Sequence, residues 1–208
     1  AEVLPCEGKS AAQTIKDARD ADTQAIYPLR GKVLNAWGIP LDKARKNEEF
    51  ADVETILNCG IGDSADPDKC RYDRIIFTAD ADPDGAGINS GLGATFLYWY
   101  RPLIAAGMVF VAVPPLYVIT TGKGDRLYAR TDEDKNTLTG DLRAQGKRFT
   151  VDRCKGLGEM DAEDFYATVL DPARRTLLKL TLPDESVAQE HGDILFGNDP
   201  QKRRDWIE

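Results

Sequence analysis

An apolar run that stops at a row of alternating aspartates, Arg74-Ile75-Ile76-Phe77-Thr78-Ala79-Asp80-Ala81-Asp82-Pro83-Asp84-Gly85, limits the folds open to this chain more than any other segment. A short unbroken apolar stretch bounded by turn residues is the pattern of a strand buried on both faces, as in a parallel sheet covered by helices. Open sheets of that kind take their ligands in the crevice beyond the carboxyl ends of the strands, which is where the aspartates stand. Residues two apart on a strand lie roughly 6.6 Å apart on one face, so three carboxylates there repel one another and share a cation only if the chain bends. Gly85 is the residue expected to permit the bend.

The flanking sequence supports the same class. Glu2 to Cys6 reads as a short strand and Ser10 to Arg19 has helical spacing, so Glu7-Gly8-Lys9 is predicted to turn between them and to leave a carboxylate at a strand's carboxyl end. Gln24 to Leu29 and Lys32 to Leu34 are predicted as extended, and Asn47 to Leu57 as an amphipathic helix. Arg74 to Ala79 is the aspartate strand, followed by one long helix from about Asn89 to Ala106 and a strand from Met108 to Val113 that ends at Pro114-Pro115. This alternation predicts an α/β fold with a parallel sheet flanked by helices over residues 1–119. Over residues 120–208 the character changes to an α+β extension. It has a hairpin, Leu116 to Thr120 with Arg126 to Ala129, around Gly122-Lys123-Gly124-Asp125, then a polar helix, a strand at Arg148 to Asp152, and helices to the end. Asp199-Pro200 has the N-cap and first-turn chemistry of a helix start.

Composition excludes several classes. The chain has 208 residues, 42% of them hydrophobic, enough for a real apolar interior, so it is not a disordered protein. A formal net charge of −8 argues against coating nucleic acid by bulk charge, although a local basic stripe remains compatible with it. Cys6, Cys59, Cys70 and Cys154 are widely spaced without a CxxC pair, and His191 is far from all four, which speaks against zinc and against a disulfide framework. A reducing cytoplasm fits that usage. No stretch approaches the roughly 18 apolar residues of a membrane span. With one histidine in a polar, acidic segment, His-based acid/base chemistry has almost no candidate, and His191 is expected at the surface.

Two motifs have near misses. Asp80-x-Asp82-x-Asp84-Gly85 opens like an EF-hand calcium loop, but the twelfth position, where a bidentate glutamate belongs, is Gly91. Glu7-Gly8-Lys9-Ser10 has the tail of a phosphate-binding P-loop, but the glycine required five residues before Gly8 is Val3. Pro28-Leu29-Arg30-Gly31-Lys32 and Lys155-Gly156-Leu157-Gly158-Glu159-Met160 set cations beside glycines, where a backbone can approach a phosphate or simply turn in solvent. Tyr98, Trp99 and Tyr100 lie in an apolar helix and are expected in the core.

Together and in this order, these residues resemble the Toprim part of the B subunit of type IIA DNA topoisomerases, the gyrase and topoisomerase IV family. Glu7 to Ala11 is similar to EGDSA, Pro28 to Asn35 to PLRGKxLN, Cys59 to Gly62 to CGIG, Asp80 to Gly85 to DADxDG and Pro114 to Tyr117 to PPLY. Lys155 to Met160 is KGLGEM, and Asp171-Pro172 with Arg175 to Leu178 resembles DPxxRTLL. The chain departs from the pattern at Lys9, where the family has aspartate, at Gly87, where bacterial members have histidine, and at Cys154, where tyrosine is usual. These departures mark a divergent member of the kind a phage or plasmid carries, and they put DNA and drug contacts near Lys9 in question while leaving the four acidic residues intact.

The resemblance implies a Rossmann-like Toprim sheet and reversible transesterification of DNA, in which a tyrosine of the partner subunit attacks a phosphodiester. Mg²⁺ is the implied cofactor, with Mn²⁺ or Ca²⁺ as substitutes, held by Glu7, Asp80, Asp82 and Asp84. Glu7 is also the implied general acid/base, and Lys9, Arg30, Lys32 and Lys155 are the implied DNA contacts. The expected partners are double-stranded DNA, the A subunit carrying the tyrosine, and an ATPase module of the same subunit, in an A2B2 enzyme of the bacterial cytoplasm. ATP would act only through that module, and none of the chain's seven tyrosines is a nucleophile. Taken alone, the chain is expected to be inactive. The alternatives are a Toprim-fold primase- or nuclease-like enzyme, or a calcium-binding module without chemistry.

Overall fold

The computed structural model describes residues 1–30, 33–80, 83–154 and 156–207. In chain order these form β1 (Glu2–Glu7), α1 (Gly8–Ala18), β2 (Gln24–Leu29), α2 (Leu41–Ala44), α3 (Glu48–Leu57) and β3 (Arg74–Phe77). Next come α4 (Pro83–Trp99), α5 (Arg101–Ala105), β4 (Val109–Ala112), β5 (Tyr117–Thr121), β6 (Arg126–Ala129), α6 (Asp132–Ala144) and β7 (Phe149–Arg153). The chain closes with α7 (Ala162–Phe165), β8 (Leu177–Lys179), α8 (Glu185–Leu195) and α9 (Pro200–Ile207).

The main sheet runs β2-β1-β3-β4-β8. Its first four strands are parallel, and β8 pairs antiparallel with β4 at the edge. Neighbouring residues on each central strand serve opposite faces, as the twofold side-chain period requires. Val3, Ile75, Phe77 and Val109 pack with Val53 and Leu57 of α3, Leu92 and Phe96 of α4, and Leu103 of α5. Leu4, Cys6, Ile76 and Ala112 pack with Ala11 and Ile15 of α1 on the other side. That second layer is completed by a segment far along the chain, Leu157, Met160, Phe165, Val169 and Leu170, so the extension forms part of the wall around the parallel sheet. Phe77 meets Phe96 edge-to-face and Phe96 meets Tyr100 at a tilt, with ring centroids 5.1 and 5.0 Å apart, each contact contributing about 1 kcal/mol beyond area burial.

A second sheet, β6-β5-β7, is wholly antiparallel. The hairpin expected around Gly122 to Asp125 is present. Thr131 caps α6 in a reciprocal box with Asp134, each accepting from the other's backbone N–H. Asp199 accepts from the Gln201 amide at 2.9 Å, as its N-cap reading requires.

The structure corrects several boundaries. No separate turn follows β1: Gly8, at φ +71°, takes the chain from strand to helix in one residue. The helix after the aspartates begins at Pro83 rather than near Asn89, because proline at a first helical position loses no intrahelical bond. It is also two helices: α4 stops at Trp99 and α5 restarts with Pro102 in its first turn, since a continuous helix would drive the proline ring into the carbonyl four residues earlier. Val33 and Leu34 are not strand, and Lys32 lies outside the described residues. β8 falls where helices alone were expected. Gly85 acts by size rather than by a left-handed bend, since a Cβ there would stand 2.1 Å from the Asp80 carbonyl oxygen.

Candidate metal centre

Glu7 is the last residue of β1, and Asp80 follows β3 by three residues. These strands pair in parallel register, Glu2 with Arg74 and Val3 with Ile75, and a further bridge joins Cys6 to Thr78. Extending that register sets Glu7 abreast of Ala79 and Asp80 one residue beyond, on strands about 4.8 Å apart. On the other flank Glu7 pairs with Leu29, so Arg30 leaves β2 at the same sheet edge. Glu7, Asp80 and Arg30 therefore reach the same edge of the sheet because three parallel strands end in step.

A groove of about 510 Å³ opens there, lined by Glu7, Gly8, Lys9, Pro28, Leu29 and Arg30. Lys9 is exposed in the first turn of α1. The Arg30 guanidinium is exposed and pairs with Glu48 at 3.1 Å, while its backbone N–H donates to the Glu49 carboxylate. The first turn of α3 thus holds Arg30 beside the groove, and a phosphate there would compete with Glu48.

Asp80 is fixed from the opposite side. The Leu157 N–H donates to Asp80 Oδ1 at 2.8 Å. Gly156 and Gly158 make the approach possible, because a Cβ on Gly156 would stand 2.9 Å from Asp80 Oδ2, and one on Gly158 would stand 2.9 Å from the Ser10 Cβ. Leu157, 2% exposed, anchors this loop in the α1 layer. The loop's glycines look like turn or phosphate glycines in sequence; their close packing on Asp80 and α1 has no side-chain signature.

Asp84 was expected in a loop beside Asp82. It is instead exposed in the first turn of α4, where the helix dipole favours a carboxylate. Asp82, Lys32 and Lys155 lie outside the described residues. Among the described residues, no three His, Cys, Asp or Glu side chains gather closely enough to hold a metal ion. Glu7 and Asp80 nevertheless offer the hard oxygen donors that suit Mg²⁺, which keeps several waters and needs few carboxylates. The EF-hand alternative fails on backbone grounds, since residues 83–91 of that loop are helical and Gly91 sits inside α4 against Val33.

At the other end of β1 is an anchor the sequence did not reveal. Glu2 receives a two-pronged hydrogen bond from Arg175, whose Nη1 reaches Oε2 at 2.7 Å, and further bonds from Arg74 at 3.1 Å and Gln24 at 3.2 Å. Burial alone would raise the Glu2 pKa, but Arg175, Arg74 and Gln24 outweigh it and hold the carboxyl at about 2. His191 is exposed, as expected, with its ring 6.2 Å from Trp206.

Comparison with known proteins bears on this arrangement. The Toprim domain family matches residues 2–114, and the family described as DNA gyrase B subunit, carboxyl terminus, matches residues 146–208. The whole chain is 51% identical to topoisomerase subunit TopoN of Mycolicibacterium smegmatis, covering 29% of that protein. It is 42% identical to the B subunit of DNA gyrase from Thermotoga maritima, covering 32% of it, and 41% identical to the B subunit of DNA topoisomerase 4 from Staphylococcus aureus, covering 31%. The chain thus spans about three-tenths of the length of the curated relatives it matches.

Proposed function

Because this chain belongs to the Toprim family, in the form that topoisomerase B subunits carry with a gyrase-B carboxyl-terminal segment, we propose that it is the metal-binding part of a type IIA DNA topoisomerase. The observation that carries the reading is the placement of Glu7 and Asp80 at the carboxyl ends of adjacent parallel strands. Glu7, Asp80 and Asp82 would hold Mg²⁺, with Asp84 at the start of α4 serving a second ion. Bound there, the ion supplies Lewis-acid stabilisation of charge developing on the 3′ oxygen of a cleaved strand.

The chain's own residues divide the remaining work. Glu7 would take the proton from the 3′ hydroxyl on religation and return it on cleavage. Lys9 and Arg30 on the groove, with Lys32 and Lys155, bind the phosphates flanking the break and fix their register. The Leu157 amide holds one Asp80 oxygen, so that carboxylate is oriented before any ligand arrives. The attacking tyrosine belongs to an A subunit, and ATP is handled by a module outside residues 1–208. The whole assembly is an A2B2 enzyme acting on double-stranded DNA in the cytoplasm. No described helix is long and apolar enough to cross a membrane.

The test joins this chain to its ATPase module and mixes it with a tyrosine-bearing A subunit, supercoiled plasmid and Mg²⁺. Metal-dependent double-strand cleavage or relaxation, abolished by Asp82→Ala, is the expected result. Inactivity in both, or equal activity in both, overturns the proposal.

A further inference from the structure

Cys59 and Cys70 bracket the loop between α3 and β3, eleven positions apart in sequence. Left-handed turns at Asn58 (φ 49°), Gly60 (φ 84°) and Gly62 (φ 61°) double the loop back on itself. Its ends are tied by main-chain bonds, Arg71 N–H to the Leu57 carbonyl at 3.1 Å and Asp66 N–H to the Cys59 carbonyl at 2.7 Å. The closure brings the Cys59 and Cys70 side chains against one core cluster, near enough to perturb each other's protonation, while the Cys59 thiol donates to the Gly60 carbonyl at 3.7 Å. Both are free thiols, Cys59 buried at 2% exposure and Cys70 half-buried at the edge of the same core cluster.

The two sulfurs are chemically unlike. The neighbouring Cys70 sulfur, with burial, pushes the Cys59 thiol up. Cys70 is half-buried and open to an oxidant that Cys59, at 2% exposure, does not meet. Burial pushes Cys6 up to about 12 and also raises Cys154. Access decides which member of the pair an oxidant finds, so Cys70 is the reactive one and Cys59 the neighbour placed to resolve it.

We propose that Cys59 and Cys70 form a dithiol site that a hydroperoxide converts to an intramolecular disulfide. The Cys70 sulfur, having given up its proton, attacks the peroxide and breaks the O–O bond. Cys70 becomes a sulfenic acid, oxidised by two electrons, and the departing hydroxide recovers the proton as water. The Cys59 sulfur then attacks the Cys70 sulfur; an S–S bond forms, the S–O bond breaks, and the hydroxide leaves with the Cys59 proton as a second water. Two thiols and one hydrogen peroxide yield one disulfide and two waters. The product staples a loop whose Gly62–Ser64 turn packs on α4 and α5 and whose end enters β3, the strand leading to Asp80.

The test treats the purified protein with hydrogen peroxide, blocks remaining thiols by alkylation and maps the peptides by mass spectrometry. The expected product is a Cys59–Cys70 cross-linked peptide, lighter by two hydrogens and reversed by dithiothreitol, with Cys6 alkylated only after unfolding and Cys154 outside the cross-link. In Cys59→Ser, Cys70 stops at the sulfenic acid and is captured by a dimedone-type trap. In Cys70→Ser, Cys59 stays reduced. A wild-type protein in which Cys70 remains unreacted, over-oxidises without cross-linking, or pairs with Cys6 or Cys154 overturns the proposal.

Discussion

Replacing Glu2 by glutamine keeps the side chain's shape but removes the charge that three donors address. The Arg175 guanidinium side chain is only 3% exposed, so the substitution leaves a cation in the interior without its counter-ion. Breaking a buried pair from one side costs about 3–5 kcal/mol when the partner is deleted, and less when an amide can still accept one bond. A second route to the magnitude uses proton linkage. A carboxyl held at about 2 instead of 4.5 sets a ceiling of about 3 kcal/mol. Arg74 is half exposed and screened by solvent, so about 2 kcal/mol is the better figure. The sign follows from the folded pKa lying below the unfolded one: the stabilisation is complete above pH 4.5, falls with pH, and is lost by about pH 2. Denaturant unfolding of wild type and Glu2→Gln at pH 7, 4 and 3 measures it. The gap should be about 2 kcal/mol at pH 7 and less than half of that at pH 3. A gap that does not change with pH, or wild-type stability at pH 7 within about 0.5 kcal/mol, refutes the reasoning.

Further outcomes follow from the site. Lys9→Asp removes a cation from the groove shared with Glu7 and should tighten Mg²⁺ binding by roughly tenfold in calorimetry, an expectation that unchanged or weaker binding would defeat. Gly156→Ala brings a Cβ to 2.9 Å from Asp80 Oδ2 and should weaken Mg²⁺ affinity about tenfold while circular dichroism stays native; equal affinity would show that Leu157 does not position Asp80. Gly87→Ala adds a methyl where nothing lies within 4 Å on α4, and should raise stability by about 0.5–1 kcal/mol in thermal unfolding. A loss of stability there would mean that α4 is constrained by contacts other than those described.

The parallel core was legible because β1, β3 and β4 are buried on both faces and so read as unbroken apolar runs. The positions of Glu7 and Asp80 were legible because one ends and the other follows such a run, and parallel strands ending in step carry both to one sheet edge. What stayed hidden depends on contacts without a sequence signature. The bond between Leu157 and Asp80 uses a backbone N–H, which any residue but proline offers. β8 is three residues long and half exposed, too short for a periodicity, and only its pairing with β4 makes it a strand. Pro83-Asp84-Gly85 carries turn residues, yet proline and an acidic residue also suit a helix's first turn, and the helix prevailed. The approach of Cys59 and Cys70 to one core cluster depends on three left-handed residues in a loop, which no cysteine spacing encodes.

The account's central claim is that Glu7 and the Asp80 strand end share one divalent cation, and calorimetric titration of Mg²⁺ into wild type, Glu7→Gln and Asp80→Asn tests it most directly. Saturable binding in wild type, lost or weakened at least tenfold in either variant, is what it predicts. Mg²⁺ binding that is indifferent to Glu7 while sensitive to Asp80 would contradict it, because the cation would then belong to one strand alone.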